Sequence, residues 1–310
     1  MAYKPKLANL AKHIPPASRN RLTHSVYDAL VRYGEIPVND TYRYLQAYWK
    51  KQLFYASYGH QLRKFKGIHR GQRCFIIGNG PSINQQDLTR LKNEITFVVN
   101  WFALNEHYDE INPTYYCIST TAFFRDGSPE LIESNQKLHR LLEDKTKSAT
   151  KFLNCDVREY VEDHNILPGH EIYYLNHAYY MYVARYGISR DITREVHHGN
   201  TVIIDFCLHL ALYMGFTEVY LLGCDCTVQY PAPDSPGSHF HPDNPEWNLF
   251  KKLEEGDNPQ KHSDSWYDNV TRDYVTVKNA FESRGRRVYN AGAGGRLEVF
   301  ERVDYDGLFA

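Results

Sequence analysis

Five residues in the first third of the chain, Gly78-Asn79-Gly80-Pro81-Ser82, set two glycines among short polar side chains directly after an apolar run. Glycine permits tight turning and close approach of backbone to a ligand. A helix that starts after such a loop offers unpaired N–H groups, which attract a phosphate. The spacing is not GxGxxG, and no P-loop lysine follows. The loop therefore suits a phosphate-bearing ligand better than it suits a dinucleotide or a Walker-type ATP site. A strand-to-helix turn and nothing more is the alternative.

Other polar residues follow short apolar runs in the same way. Asn100 follows ITFVV at 95–99, and Ser119, Thr120 and Thr121 follow TYYCI at 114–118. Asp225 follows EVYLL at 218–222, and Asn290 ends the run that begins at Arg287. If these runs are parallel strands, their polar ends converge on one crevice at the carboxyl edge of the sheet. His239-x-His241-x-Asp243 sets two imidazoles and a carboxylate at alternating positions. That pattern could ligate a metal, touch a substrate or lie solvated in a loop. His197 and His198 precede a helix start and could meet an anionic ligand. Cys224-Asp225-Cys226 carries a single carboxylate, so it is not a DxD metal motif.

The elements that would position these groups read as alternating strands and helices. Residues 20–66 read as helices broken near 34–39. Strands are expected at 73–77, 95–99, 114–118, 152–154, 172–175, 218–222 and 287–290. Helices are expected at 85–91, 129–145, 201–214 and 268–283, the third capped by Asn200 and closed by Gly215. Residues 226–265 are rich in Pro, Gly, Asp, Asn and His, as a long functional loop would be. Strands alternating with helices imply a parallel sheet covered on both faces, hence one Rossmann-like α/β domain at 71–310 and an N-terminal helical arm at 1–70.

Composition bounds the partners. The chain has 310 residues, 42% of them hydrophobic and 24% charged, as in a globular protein. It has 25 tyrosines, whose flat faces and hydroxyls suit sugars, bases and phosphates. The six cysteines form no CxxC pair, which argues against a zinc ribbon, and read as reduced thiols in the cytoplasm. Residues 1–73 carry fourteen Lys and Arg against three Asp and Glu, a net +11, whereas the whole chain is −1. Aromatics interleave with these basic residues. Such an arm could lie on an anionic membrane surface, pack on the main domain or mediate a homo-oligomer. No nucleic-acid recognition motif accompanies the charge.

CFIIGNGPSI at 74–83 and ITFVVNWFAL at 95–104, with GNTVIIDFCLHLALYMGFTEVYLLGCD at 199–225, resemble the bacterial sialyltransferases of the Campylobacter type. They also resemble the related flagellin-modifying and polysaccharide-cluster proteins described as 6-hydroxymethylpterin diphosphokinase-like. The likeness runs over roughly 62–310 and ends in RRVYNAGAGGRLEVFERVDYDGLF at 286–309. It implies a GT-A-like variant of the Rossmann fold with a lid at about 226–265. It implies a CMP-activated acidic sugar as co-substrate, a glycan or lipid-linked glycan as acceptor, no metal or other cofactor, and a place in the cytoplasm at the inner membrane face.

The resemblance also assigns residues. Gly78, Asn79, Gly80, Ser82 and Asn100 would hold the nucleotide. Ser119 and Thr120 would line the nucleotide-sugar site, with Asn200 and Thr201 at a helix start beside it. Asp225 would fix a loop or a hydroxyl, and Tyr230 would bind the departing phosphate. His262 of Lys261-His262-Ser263 would be the general base, just before the last long helix. The residues themselves, apart from the resemblance, make His239 and His241 candidates for acceptor contact from the lid. Two other readings stand beside this one: an ATP- and Mg-dependent pterin diphosphokinase, whose carboxylates would be Asp225, Asp234 and Asp243, and a non-catalytic nucleotide-sugar-binding protein.

Overall fold

The structure is a computed structural model that describes residues 38–227, 239–241 and 259–309, without the side chains of 38–47, 180 and 259–263. The chain divides into two compact units, Met1–Lys50 and Lys51–Ala310. Residues 51–70, expected to belong to the arm, are thus part of the second unit. In the first unit Tyr48 and Trp49 meet edge to face, and both are exposed. Helix α1 (Val38–Ser57) crosses the division between the units.

The second unit is built on an eight-stranded sheet. Its strands are β1 (Arg73–Ile77), β2 (Thr96–Val99), β3 (Tyr115–Ile118), β4 (Thr150–Asn154) and β5 (Ile172–Leu175), followed by β8 (Glu218–Leu222), β9 (Arg287–Asn290) and β10 (Glu301–Arg302). The order across the sheet is β10-β9-β8-β1-β2-β3-β4-β5. Every pairing in it is parallel. Strands of such a sheet are covered on both faces, which is why they read as continuous apolar runs. A separate parallel pair joins β6 (His177–Tyr182) to β7 (Val196–His198).

Alternation along each strand sorts side chains into two cores. Cys74, Ile76, Phe97, Val99, Tyr115, Cys117, Val219 and Leu221 face one, with residues 203–216 and α4 (Pro259–Glu282) above them. Phe75, Ile77, Val98, Tyr116, Ile118, Tyr220 and Leu222 face the other, covered by Leu88, Leu91, Phe102 and α2 (Pro129–Lys145). The Ser128 hydroxyl caps α2 by accepting from Leu131 N–H at 3.3 Å, and Pro129 takes the first helical position. A helical turn at Gly59–Phe65 covers β4 and β5, with Phe65 against Phe152 and Tyr173.

Several elements depart from the expected ones. The helix expected at 85–91 is two 3-10 turns, Pro81–Gln85 and Leu88–Asn93. Asp87 separates them because its carboxylate accepts from Thr89 N–H at 3.1 Å and starts the second turn. The run at 201–214 begins as a π-helical turn (Ile203–Leu208) and continues as α3 (His209–Met214). Its cap is the Thr201 hydroxyl, which accepts from Ile204 N–H at 3.3 Å, not Asn200. Gly215 closes it at φ +96°, as expected. The last helix starts at Pro259, so residues 259–265 are helical where a lid was expected. β6, β7 and β10 were not anticipated.

No helix among the described residues is long and apolar enough to cross a membrane. All six cysteines are free. Cys74, Cys117 and Cys207 are buried, while Cys155, Cys224 and Cys226 are half-buried.

Candidate functional site

Sequence order runs outward from β1 in both directions, through β2 on one side and β8 on the other. The switch point therefore lies between β1 and β8, where open α/β sheets bind ligands beyond the carboxyl ends of their strands. The loops at 78–82 and 223–225 meet there. Gly78 N–H donates to Leu222 O at 2.8 Å, and Gly80 N–H donates to Gly223 O at 2.8 Å. A Cβ on Gly78 would stand 2.4 Å from Gly223 O, and one on Gly80 would stand 2.6 Å from the Asp225 carboxylate. Both glycines are thus explained by the approach of the two loops to each other.

Asp225 joins the two loops. Its carboxylate accepts from Ser82 N–H at 2.9 Å and from the Ser82 hydroxyl. Its carbonyl accepts from Arg296 N–H at 2.7 Å. The backbone donor expected to attract a phosphate at Ser82 is therefore taken by a carboxylate of the chain itself. Asp225 thereby ties the loop at 223–225 to the loop at 78–82.

Asn79 and Asn100 behave differently. Asn79 is 8% exposed, and its Oδ1 has no hydrogen-bond partner among the described residues. The Oδ1 of Asn100 is likewise buried and without a partner among the described residues. Asn100 is held at φ 50°, a conformation Asn tolerates better than most residues, and its carbonyl accepts from the Tyr116 hydroxyl. A buried acceptor left unmade costs about 1–3 kcal/mol, so two at neighbouring strand ends are candidates for contact with a donor from outside the chain.

Residues 239–241 lie over these ends. Phe240 N–H donates to Asn79 O at 2.8 Å, and the Phe240 ring meets Phe102 with centroids 5.9 Å apart. The His239 and His241 rings stack at 5.2 Å, with His241 6.3 Å from Trp101. Asp243, the third member of that pattern, lies outside the described residues, as do Tyr230 and Asp234. His262 is in the first turn of α4 rather than before it, and its side chain also lies outside the described residues.

The remaining strand-end residues are engaged by the fold. Ser119 O accepts from Asn154 Nδ2 at 3.0 Å, and the Thr120 hydroxyl accepts from Ala122 N–H at 3.3 Å. Asn200 donates from N and Nδ2 to Asp273 Oδ2 at 3.1 and 2.5 Å, which ties it to α4. Burial raises the Asp273 carboxyl despite these bonds. Thr201 caps the π turn. Asn290 spends its amide on Leu297 O at 2.7 Å and its Oδ1 on Gly292 N–H at 2.9 Å, so it shapes a turn.

A second group of polar side chains was mostly missed from sequence. Asn154 Nδ2 reaches the Tyr179 hydroxyl at 2.6 Å. The Tyr179 ring lies 4.2 Å from that of His177, which contacts His198 and Asp205. Burial alone would raise the Asp205 carboxyl, but the adjoining His177 and His198 outweigh it and hold the group below its ordinary value. The carboxylate inside the apolar stretch Ile203-Ile204-Asp205-Phe206 was the available signal, since a lone acid in such a run must find partners.

No protein-family model matches the chain, and neither does any curated protein sequence.

Proposed function

We propose that this chain is an inverting glycosyltransferase that moves an acidic ulosonic sugar from a CMP donor to a surface-glycan acceptor. The observation that carries the reading is the pair of buried carboxamide oxygens of Asn79, after β1, and Asn100, after the adjacent β2, which have no hydrogen-bond partner among the described residues. An amino or hydroxyl group of a nucleotide would supply the missing donors. The resemblance in sequence assigns the same two residues to the cytidine nucleotide. In this reading the sheet is a GT-A-like variant, and residues 226–258 with the start of α4 act as its lid.

The chemistry asks little of a metal. The acceptor oxygen bonds to the anomeric carbon while the bond from that carbon to the CMP phosphate oxygen breaks. The acceptor proton passes to His262, a group whose ordinary titration range suits proton transfer near neutrality. CMP leaves with the bonding electrons as a phosphate monoester, and the Tyr230 hydroxyl stabilises its charge. Ser119 and Thr120 flank the donor, and His239 and His241 lie towards the acceptor.

Thermal shift against CMP, CDP, UDP, GDP and ATP, with and without Mg²⁺, tests the reading, because a ligand of the native state raises the Tm by mass action. CMP is expected to stabilise the wild type without metal. The Asn79→Ala variant is expected to keep its ligand-free Tm, since it removes an unsatisfied group, and to lose the CMP shift. Stabilisation by Mg·ATP alone would overturn the proposal in favour of a diphosphokinase.

A further inference from the structure

Three ligand-type atoms meet at the start of the π turn. His177 Nε2 is 3.2 Å from Asp205 Oδ1, and His198 Nδ1 is 3.2 Å from His177 Nε2. The third side of the triangle, His198 Nδ1 to Asp205 Oδ1, is 3.4 Å. We propose that His177, His198 and Asp205 form a binding site for a divalent transition-metal cation, with zinc or a close neighbour as its ligand. The site is independent of the transferase reading, which requires no cation.

The dimensions support it. Ligand atoms about 2.0–2.1 Å from a tetrahedral centre stand roughly 3.3 Å from one another, which matches all three sides. Two imidazoles and one carboxylate are a donor set for first-row transition metals, and they leave coordination positions open.

Hydrogen bonding alone fits the triangle less well. Asp205 Oδ1 already accepts from Gly199 N–H at 2.6 Å. For every side to be a favourable hydrogen bond or a neutral contact, both imidazoles must direct N–H groups at that same oxygen, making three donors on one atom. Any other pair of tautomers sets two lone pairs against each other. A cation inside the triangle meets a lone pair from each vertex. His177 Nδ1 is buried and has no partner among the described residues, with or without a cation, so it favours neither arrangement.

The elements hold the set in place. His177 opens β6, His198 ends the paired strand β7, and Asp205 sits in the π turn. π-helical turns occur frequently at functional sites. The Asp205 side chain is 7% exposed and His198 28%, so a cation would reach the site from the His198 side. Tyr179 and Tyr182, with rings 5.7 and 5.4 Å from that of His198, flank this entrance. Both are exposed.

The test uses the full-length protein, stripped with a chelator and titrated with Co²⁺. Visible d–d absorption of a four- or five-coordinate centre, at one Co²⁺ per chain and displaced by Zn²⁺, is the expected result. His198→Ala and, separately, His198→Gln are expected to weaken binding at least tenfold, while His239→Ala with His241→Ala leaves it unchanged. Circular dichroism checks that each variant is folded. Absence of these bands in the wild type would overturn the proposal. So would bands that survive both His198 substitutions, which would place the metal elsewhere.

Discussion

His209 is buried and its neutral form is fixed from both sides. Its Nδ1 donates to Ile204 O at 2.8 Å, and its Nε2 accepts from His197 N–H at 3.2 Å. Burial pushes its pKa from the ordinary 6.5 down to about 3. A group with a depressed folded pKa contributes stability above its unfolded value and loses it as pH falls toward the folded one. Between pH 6.5 and 3 the unfolded chain binds the extra proton, so acid destabilises the fold. Replacing His209 by Gln is expected to destabilise the protein at pH 7. The gap to wild type should narrow by about 2–3 kcal/mol by pH 4.5, read from denaturant midpoints at each pH. A gap that stays constant with pH would exclude a buried neutral histidine. At this scale the sequence disclosed residue types but not their partners. Asn79, Asn100 and Asn290 look equivalent as strand-end amides. Only the third turns out to have both amide groups occupied, because the turn at 290–297 folds back on it. His177 and Asp205 are far apart along the chain, and nothing local announces that they touch.

At the level of the elements, the 78–82 and 223–225 loops meet at the carboxyl ends of β1 and β8. Gly223 sits at φ +57°, and a Cβ there would stand 2.5 Å from Ile83 Cγ2. Gly78→Ala would drive a methyl group into backbone that cannot yield, at a cost of roughly 2–3 kcal/mol or more. Gly285 has φ +67° with open space around its Cβ direction, so Gly285→Ala should cost only about 1–2 kcal/mol, from backbone conformation alone. Equal losses of Tm in the two variants would show that the loops are not in close contact. The strands were readable as apolar runs because both faces of the sheet are covered. The helices at their borders were less readable. Asp87 divides one into two 3-10 turns through a side-chain bond, and another begins as a π turn that no periodicity announces.

Over the whole molecule, charge is the leading feature. Lys66, Arg70, Arg190, Arg284 and Arg286 surround one cavity. Lys66 and Arg70 precede β1, and Arg284 and Arg286 precede β9, so the cluster lies at the amino-terminal edge of the sheet, away from the crevice. This cluster is expected to bring the protein to vesicles containing phosphatidylglycerol. Arg70→Gln and Arg190→Gln should each weaken that binding by about fivefold, and roughly 1 M salt should abolish it. Equal sedimentation with uncharged phosphatidylcholine vesicles would refute an electrostatic attachment. The fold class was legible because alternation of strands and helices has few solutions. The cluster was not, because its members come from three distant stretches that only the sheet brings together.

The place of β1 in the sheet order bears on how the protein is made. A ribosome delivers β1 to β5 first, and these can pair as a half-sheet with one flank of β1 bare. That flank, Arg73 to Ile77, waits for Glu218 to Leu222, its partners in register. At ordinary elongation rates the interval is on the order of ten seconds. During it an apolar strand edge is open to any other nascent chain, which is the situation that seeds intermolecular pairing. Chaperone demand during synthesis should therefore be set by this half-finished sheet rather than by the stability of the finished one.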